Sequence, residues 1–186
     1  MSALPLLKPA TYEDLCALPP HRVGEIVRGV LYSHPRPASK HARSSSMLGI
    51  KLGPRFDEGD GGPGGWWIIF EPELHLDDDV LVPDLAGWRR ERMPVFPDVA
   101  WFDLAPDWIC EVLSPSTARL DRTQKMPIYA ANGVRHLWLL DPVLRTLEAY
   151  ENQQGRWTLI ATHADQEQVR VAPFDAAALD LGGLWT

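Results

Sequence analysis

Three carboxylates stand in stretches of sequence that are otherwise apolar. In the run DWICEVL, side chains alternate between the two faces of an extended strand. Ile109, Glu111 and Leu113 therefore share one side, and Trp108, Cys110 and Val112 the other. Glu111 alone breaks the apolar character of either side. A strand of this kind is covered on both faces, which holds a carboxylate in poorly hydrated surroundings. That is costly unless the group is protonated, paired or bound to a metal. The alternative to a functional role is a buried glutamate satisfied by an arginine or by backbone donors. Asp84 follows Pro83 at the head of another apolar strand, LVPDLAGW, so it projects from a sheet end. Taken alone it reads more simply as a turn aspartate, because Pro-Asp is a common turn pair. Glu25 shares its strand face with Val23 and Val27, again an apolar side, unless a short edge hairpin leaves it in water.

Carboxylates on neighbouring strands suit a hard ion. Magnesium takes oxygen ligands, keeps several waters and bridges to substrate phosphates, which makes phosphodiester hydrolysis the chemistry to expect. A nearby lysine can orient the nucleophile or steady developing negative charge. Lys125 is the candidate, with Asp121 one turn before it at i, i+4. By spacing alone the two also read as an exposed ion pair worth roughly a few tenths of a kcal/mol.

The elements that would position these residues follow from pattern and punctuation. Thr11 caps a short helix through Leu18, with Glu13 and Asp14 in its first turn and Pro19-Pro20 beyond it. HRVGEIVRGVLYSH reads as a hairpin turning at Arg28-Gly29. ASKHARSSSMLGIKLGPRF reads as a helix that ends or frays at Gly53-Pro54. The loop EGDGGPGG lacks the GK[ST] of a phosphate loop, and WWIIFEPELHL supplies one or two strands. After the LVPDLAGW strand and a loop rich in Pro and Arg, DWICEVL should be central. SPST opens a helix over 118–131 that Asn132-Gly133 closes. HLWLLD, RTLEAYEN and GRWTLIATH are successive strands, and a short turn or helix from Pro173 ends in Leu184-Trp185, which packs on the body or on a partner.

The 186 residues, 45% of them hydrophobic, suit one compact domain spanning 1–186. Pro5 and Pro9 interrupt the apolar start MSALPLLKPA, so neither a signal peptide nor a membrane span is expected and the location is cytoplasmic. Cys16 and Cys110 make neither a disulfide framework nor a zinc set. The net charge of −7 argues against a surface that coats DNA. Between Arg36 and Arg55, however, Arg36, Lys40, Arg43, Lys51 and Arg55 meet no acidic residue, which is a local basic face or a set of ordinary solvated helix charges.

Taken together, TYEDL, GEIVRGVLY, a helix bearing His41, VPDLAGW, WICEVLSPST, DRTQK, YAANGV and HLWLLDP resemble the Uma2 (DUF820) family of restriction-endonuclease-like proteins over most of the chain. EVLSPST followed by DRTQK and YAANGV carries the resemblance furthest. It implies an α/β fold with a restriction endonuclease-like, PD-(D/E)xK core: a mixed β-sheet flanked by α-helices, with a magnesium site at one edge. It further implies that Asp84 is the metal-binding aspartate of the PD motif, Glu111 the acidic residue of the next strand and Glu25 an auxiliary catalytic carboxylate, with Val112 completing the metal set. The sequence departs from the superfamily at Leu113, where a lysine would share the face of Glu111. Lys125 matches the position this branch uses instead and would reach back over the sheet edge, helped by a kink at Pro127. His41 matches a family position from which it could meet a phosphate or a water on the metal, though a hydrogen-bonded core histidine fits it equally. Asp121 and Tyr129 flank Lys125 as support.

The resemblance thus implies a Mg²⁺ (or Mn²⁺)-dependent endonuclease that cuts DNA, expected as a homodimer with Trp66, Trp67 and Trp185 as candidate contacts. A catalytically inactive binding or scaffold protein of the same fold is the alternative, motivated by the acidic balance and the missing lysine at 113. A metal-dependent phosphoesterase for a smaller substrate is another.

Overall fold

The computed structural model describes residues 8–185. The stretch MSALPLL, on which the expectation of no signal peptide and no span partly rests, lies outside the described residues. Among the described residues no helix is long and apolar enough to cross a membrane. Helix α1 (Tyr12–Cys16) starts in a capping box, Thr11 accepting from the Asp14 amide while Asp14 accepts from the Thr11 amide. Strands β1 (Arg22–Val27) and β2 (Val30–Pro35) form the expected hairpin. Arg28 and Gly29 turn it with φ of 51° and 74°, the left-handed pair a tight two-residue hairpin needs. Helix α2 (Ser39–Leu52) does not stop at Gly53-Pro54 but runs on as a π-helical turn, Gly53–Glu58, and ends at Gly59 with φ 80°. Pro54 lacks the amide for a regular i→i−4 bond, and the wider turn accommodates that loss.

The remaining strands are β3 (Trp66–Phe70), β4 (Leu74–Leu76), β5 (Asp79–Leu81), β6 (Leu85–Arg89), β7 (Trp108–Val112), β8 (His136–Asp141), β9 (Thr146–Gln153) and β10 (Arg156–Ala164), with a small pair β11 (Gln168–Val169) and β12 (Leu179–Asp180). Six of them make one mixed sheet in the order β10-β9-β8-β7-β6-β3, in which β7 and β8 are parallel and the other neighbours antiparallel. The parallel crossover is a helical segment of three pieces: α3 (Ala118–Leu120), a π-turn (Asp121–Lys125) and α4 (Met126–Ala131), closed by Gly133 at φ 78°. The second sheet has the order β2-β1-β5-β4. The single strand expected near LVPDLAGW is therefore two, β5 and β6, which enter different sheets. Glu25 likewise does not sit on a strand beside those of Asp84 and Glu111. It belongs to the second sheet and approaches them across space.

Strand β7 is fully buried and separates two cores, as its alternation requires. Trp108, Cys110 and Val112 face a core shared with Leu48 and Leu52 of α2 and with the C-terminal segment. Ile109 and Leu113 face the other, which holds Val27, Leu74, Tyr129 and Leu137. Helix α2 comes close to β3 at Gly49, where an added Cβ would lie 2.0 Å from Phe70 Cζ. The C-terminal segment seals the first core through Phe174, whose ring lies 4.8–5.6 Å from those of Phe56, Trp66, Trp108 and Trp138. The tryptophans expected at a dimer contact are thus engaged within the chain. Trp66 is buried, Trp67 lies under the Arg90 guanidinium, and Trp185 packs on the first core and donates to the Asp165 carbonyl.

Candidate active site

Glu111 and Asp84 are neighbours by strand register. Leu85 pairs with Cys110 in the antiparallel β6–β7 ladder, so one residue further Asp84 comes opposite Glu111 at the sheet edge. Asp84 is fixed there by its Oδ2, which accepts from the Val112 amide at 2.8 Å, and His41 Nε2 lies 3.3 Å from its Oδ1. The Glu111 carboxylate points to the second core, where the Tyr129 hydroxyl donates to its Oε1 at 2.6 Å and Lys125 Nζ lies 2.8 Å from the same oxygen.

Lys125 does reach back over the sheet edge. The π-turn brings it inward, and its ammonium bridges the two sheets, 2.8 Å from Glu111 Oε1 and 2.8 Å from Glu25 Oε1. Asp121 Oδ1 lies 3.7 Å from it, and the pair is buried, not the exposed ion pair that spacing alone allows. Pro127 follows two residues after the wide turn, matching the expected distortion of the helix. Glu25 is 4% exposed, which excludes a solvated edge carboxylate, and its Oε1 also accepts from the Val82 amide. Each residue singled out in the sequence, Glu25, His41, Asp84, Glu111, Val112, Asp121, Lys125 and Tyr129, therefore belongs to one connected cluster.

The electrostatics of the cluster have a single origin, more carboxylates than cations in a buried place. Burial pushes the Glu111 carboxyl well above the usual range; Lys125 pulls against this, while Asp121, Asp84 and Glu25 add to the rise. Asp121 is raised for the same first reason. Burial also disfavours the Lys125 ammonium, but Glu111 and Glu25 overcome it and hold the amine protonated well above its ordinary value. Burial and then Glu111 keep the Tyr129 phenol neutral. Burial opposes a charged His41, yet the Asp84 hydrogen bond and charge, aided by the Val112 carbonyl, raise its pKa. Asp121 Oδ2 is buried without a hydrogen-bond partner.

Among the described residues no three His, Cys, Asp or Glu side chains form a ready-made metal cage. Magnesium asks for less, since one or two carboxylates suffice when water and substrate phosphate supply the rest. The oxygens of Asp84 and Glu111, the main-chain carbonyl of Val112 and the surplus negative charge around them suit such an ion in chemical type. These residues line a cavity of about 400 Å³ between the end of the large sheet and the hairpin of the small one. Sequence reasoning did not place His34, Ser114 or Thr117 in its wall. The hairpin register carries a signal for the first: His34 pairs with Val23, on the face of Glu25, and its Nε2 lies 3.9 Å from Glu25 Oε2.

A mixed sheet flanked by helices, with acidic residues meeting at the edge of two adjacent strands, defines the restriction endonuclease-like fold. The crystal structure of a "putative nuclease belonging to DUF820" from Anabaena variabilis ATCC 29413 has a similar fold, with a TM-score of 0.73 and 23% identity over 95% of this chain and 97% of that one. No curated protein matches the chain. The model of the Uma2 family, described as "Putative restriction endonuclease", matches residues 9–182, and the chain belongs to that family.

Proposed function

We propose that this protein is a Mg²⁺ (or Mn²⁺)-dependent endonuclease that hydrolyses phosphodiester bonds of DNA. The observation that supports this most is the convergence of Glu25, Glu111 and Asp121 on one buried lysine, with Asp84 opposite Glu111, in the lining of one cavity. Asp84, Glu111 and the Val112 carbonyl are the groups proposed to hold the metal. When bound, the ion polarises the phosphoryl group and eases deprotonation of the attacking water.

The chain's own residues have separable tasks. Lys125 is held protonated, so it acts as a fixed positive charge beside the phosphoryl oxygens and not as a base. Glu25 and Tyr129 position it and Glu111 through the short contacts at Oε1. His41, its proton favoured by Asp84, stands at the cavity wall able to donate to a phosphate oxygen. The water oxygen bonds to phosphorus as the ester P–O bond breaks; the water gives up one proton to solvent and the departing oxygen takes one up.

Purified protein incubated with supercoiled plasmid and Mg²⁺ or Mn²⁺ should nick it, and Asp84→Ala and Glu111→Ala should abolish nicking. Absence of nicking, or equal nicking by both variants, would overturn the proposal.

A further inference from the structure

We propose that the cavity takes one nucleotide unit of single-stranded DNA, so that an unpaired strand and not a duplex is the preferred substrate. This rests on the phosphodiesterase reading of the same site and narrows its substrate.

Depth comes first. Glu25, Glu111, Asp121 and Lys125 are each under 5% exposed, at the floor of a cavity of about 400 Å³. Pockets of roughly 300–1,000 Å³ enclose a molecule of small-ligand size, which suits one nucleotide and not a base pair with both its backbones. A paired nucleotide would have to leave the stack to reach this floor, a cost that an unpaired one does not meet.

Charge points the same way. Glu25, Glu71, Asp84, Glu111 and Asp121 line the cavity, against Lys125, Arg36 and the histidines His34 and His41. Lys125 is engaged by its own carboxylates, Glu25 and Glu111. Duplex binding relies on many Lys and Arg contacts to phosphates of both strands. Of the basic stretch, Lys51 pairs with Asp180 at 3.2 Å and Arg55 donates to the Ala178 carbonyl, on the far side of α2 from its cavity end, while Lys40 and Arg43 are exposed but do not line the cavity. Arg36 remains at the cavity wall, exposed and with no carboxylate partner among the described residues. Its guanidinium is placed to meet a phosphate flanking the bound unit.

The walls also differ in kind. Val23, Pro35, Pro37 and Val82 give an apolar side against which a base can lie, while Ser114 and Thr117 give a hydroxyl side for sugar and phosphate.

The test compares a fluorescently labelled 20-nucleotide single-stranded DNA, the same strand in a blunt duplex, and an RNA of the same sequence. Binding is read by anisotropy in Ca²⁺ and cleavage in Mg²⁺. The single-stranded DNA should bind at least about tenfold more tightly than the duplex. Arg36→Ala, at an exposed position, should remove most of that advantage, as should Ala38→Trp, which narrows the mouth. Equal or tighter binding of the duplex, tighter binding of the RNA, or an advantage unchanged in both variants would overturn the inference. A retained single-strand advantage without cleavage would support it while contradicting the hydrolytic reading above.

Discussion

Lys125 is an ammonium placed out of water, and its carboxylate neighbours make that tolerable. Replacing one member of such a group is costly because the others keep their charge: removing one partner of a buried pair typically costs about 3–5 kcal/mol. Lys125→Met, similar in length and uncharged, should lose a comparable amount of unfolding free energy by urea denaturation in EDTA at pH 8. The loss should shrink as pH falls, because burial raises the Glu111 carboxyl and eases its taking up a proton and shedding its charge. A loss below about 1 kcal/mol at pH 8 would mean that Lys125 does not neutralise the cluster. Much of this site is legible in the sequence for a physical reason. Glu111 interrupts a strand apolar on both faces, and alternation alone exposes it. Asp121 and Lys125 carry no such mark, because i, i+4 spacing looks the same on a solvated helix and on one turned into a core. Burial of Glu25 depends on β5 and the helical crossover covering the hairpin, a contact between distant segments that local pattern does not encode.

The π-turn that aims Lys125 inward is itself tied to the sheet. Arg122, in the same turn, donates to both oxygens of Glu148 on β9, at 2.9 and 3.1 Å, and Tyr150 donates to Glu148 at 2.6 Å. The Arg122 hydrogen bond holds the Glu148 carboxyl below the 4.5 of a free glutamate. A carboxylate whose folded value is depressed stabilises the fold above its unfolded value, and that contribution is lost as pH falls through the folded one. The wild type should therefore lose more stability than Glu148→Gln as pH falls below about 4.5, measured by thermal unfolding; parallel curves would contradict the anchoring role. Sequence pattern places this helix correctly at 118–131 but cannot show its wide turn, because Pro127 permits either a kink or a shift of the hydrogen-bond ladder. The same ambiguity at Pro54 makes an apparent helix end into a continuation. The run LVPDLAGW hides its division between two sheets for a different reason: both short strands are buried, so no change of periodicity marks the break at Val82–Asp84.

Across the whole molecule, the second sheet and the helical crossover close the end that holds the carboxylate cluster, while the C-terminal segment closes the opposite face of β7. Phe174 is central to that closure, with four aromatic rings around it and 2% exposure. Phe174→Ala should cost about 3–5 kcal/mol of stability in denaturant unfolding, the range for a large aromatic removed from a packed core. A loss under about 1 kcal/mol would show that the segment is peripheral. From the sequence, the Leu184-Trp185 end is expected to pack on the body or on a partner, but Phe174 is not singled out, since a lone Phe after Pro173 carries no periodicity. The most direct test of the account is diffraction at the manganese edge from crystals soaked in Mn²⁺. An anomalous peak between the Asp84 and Glu111 carboxylates, beside the Val112 carbonyl and lost in Glu111→Ala, is the expected result. No peak there, or one at the acidic turn Asp77–Asp79 instead, would contradict the assignment of this cluster as a metal centre.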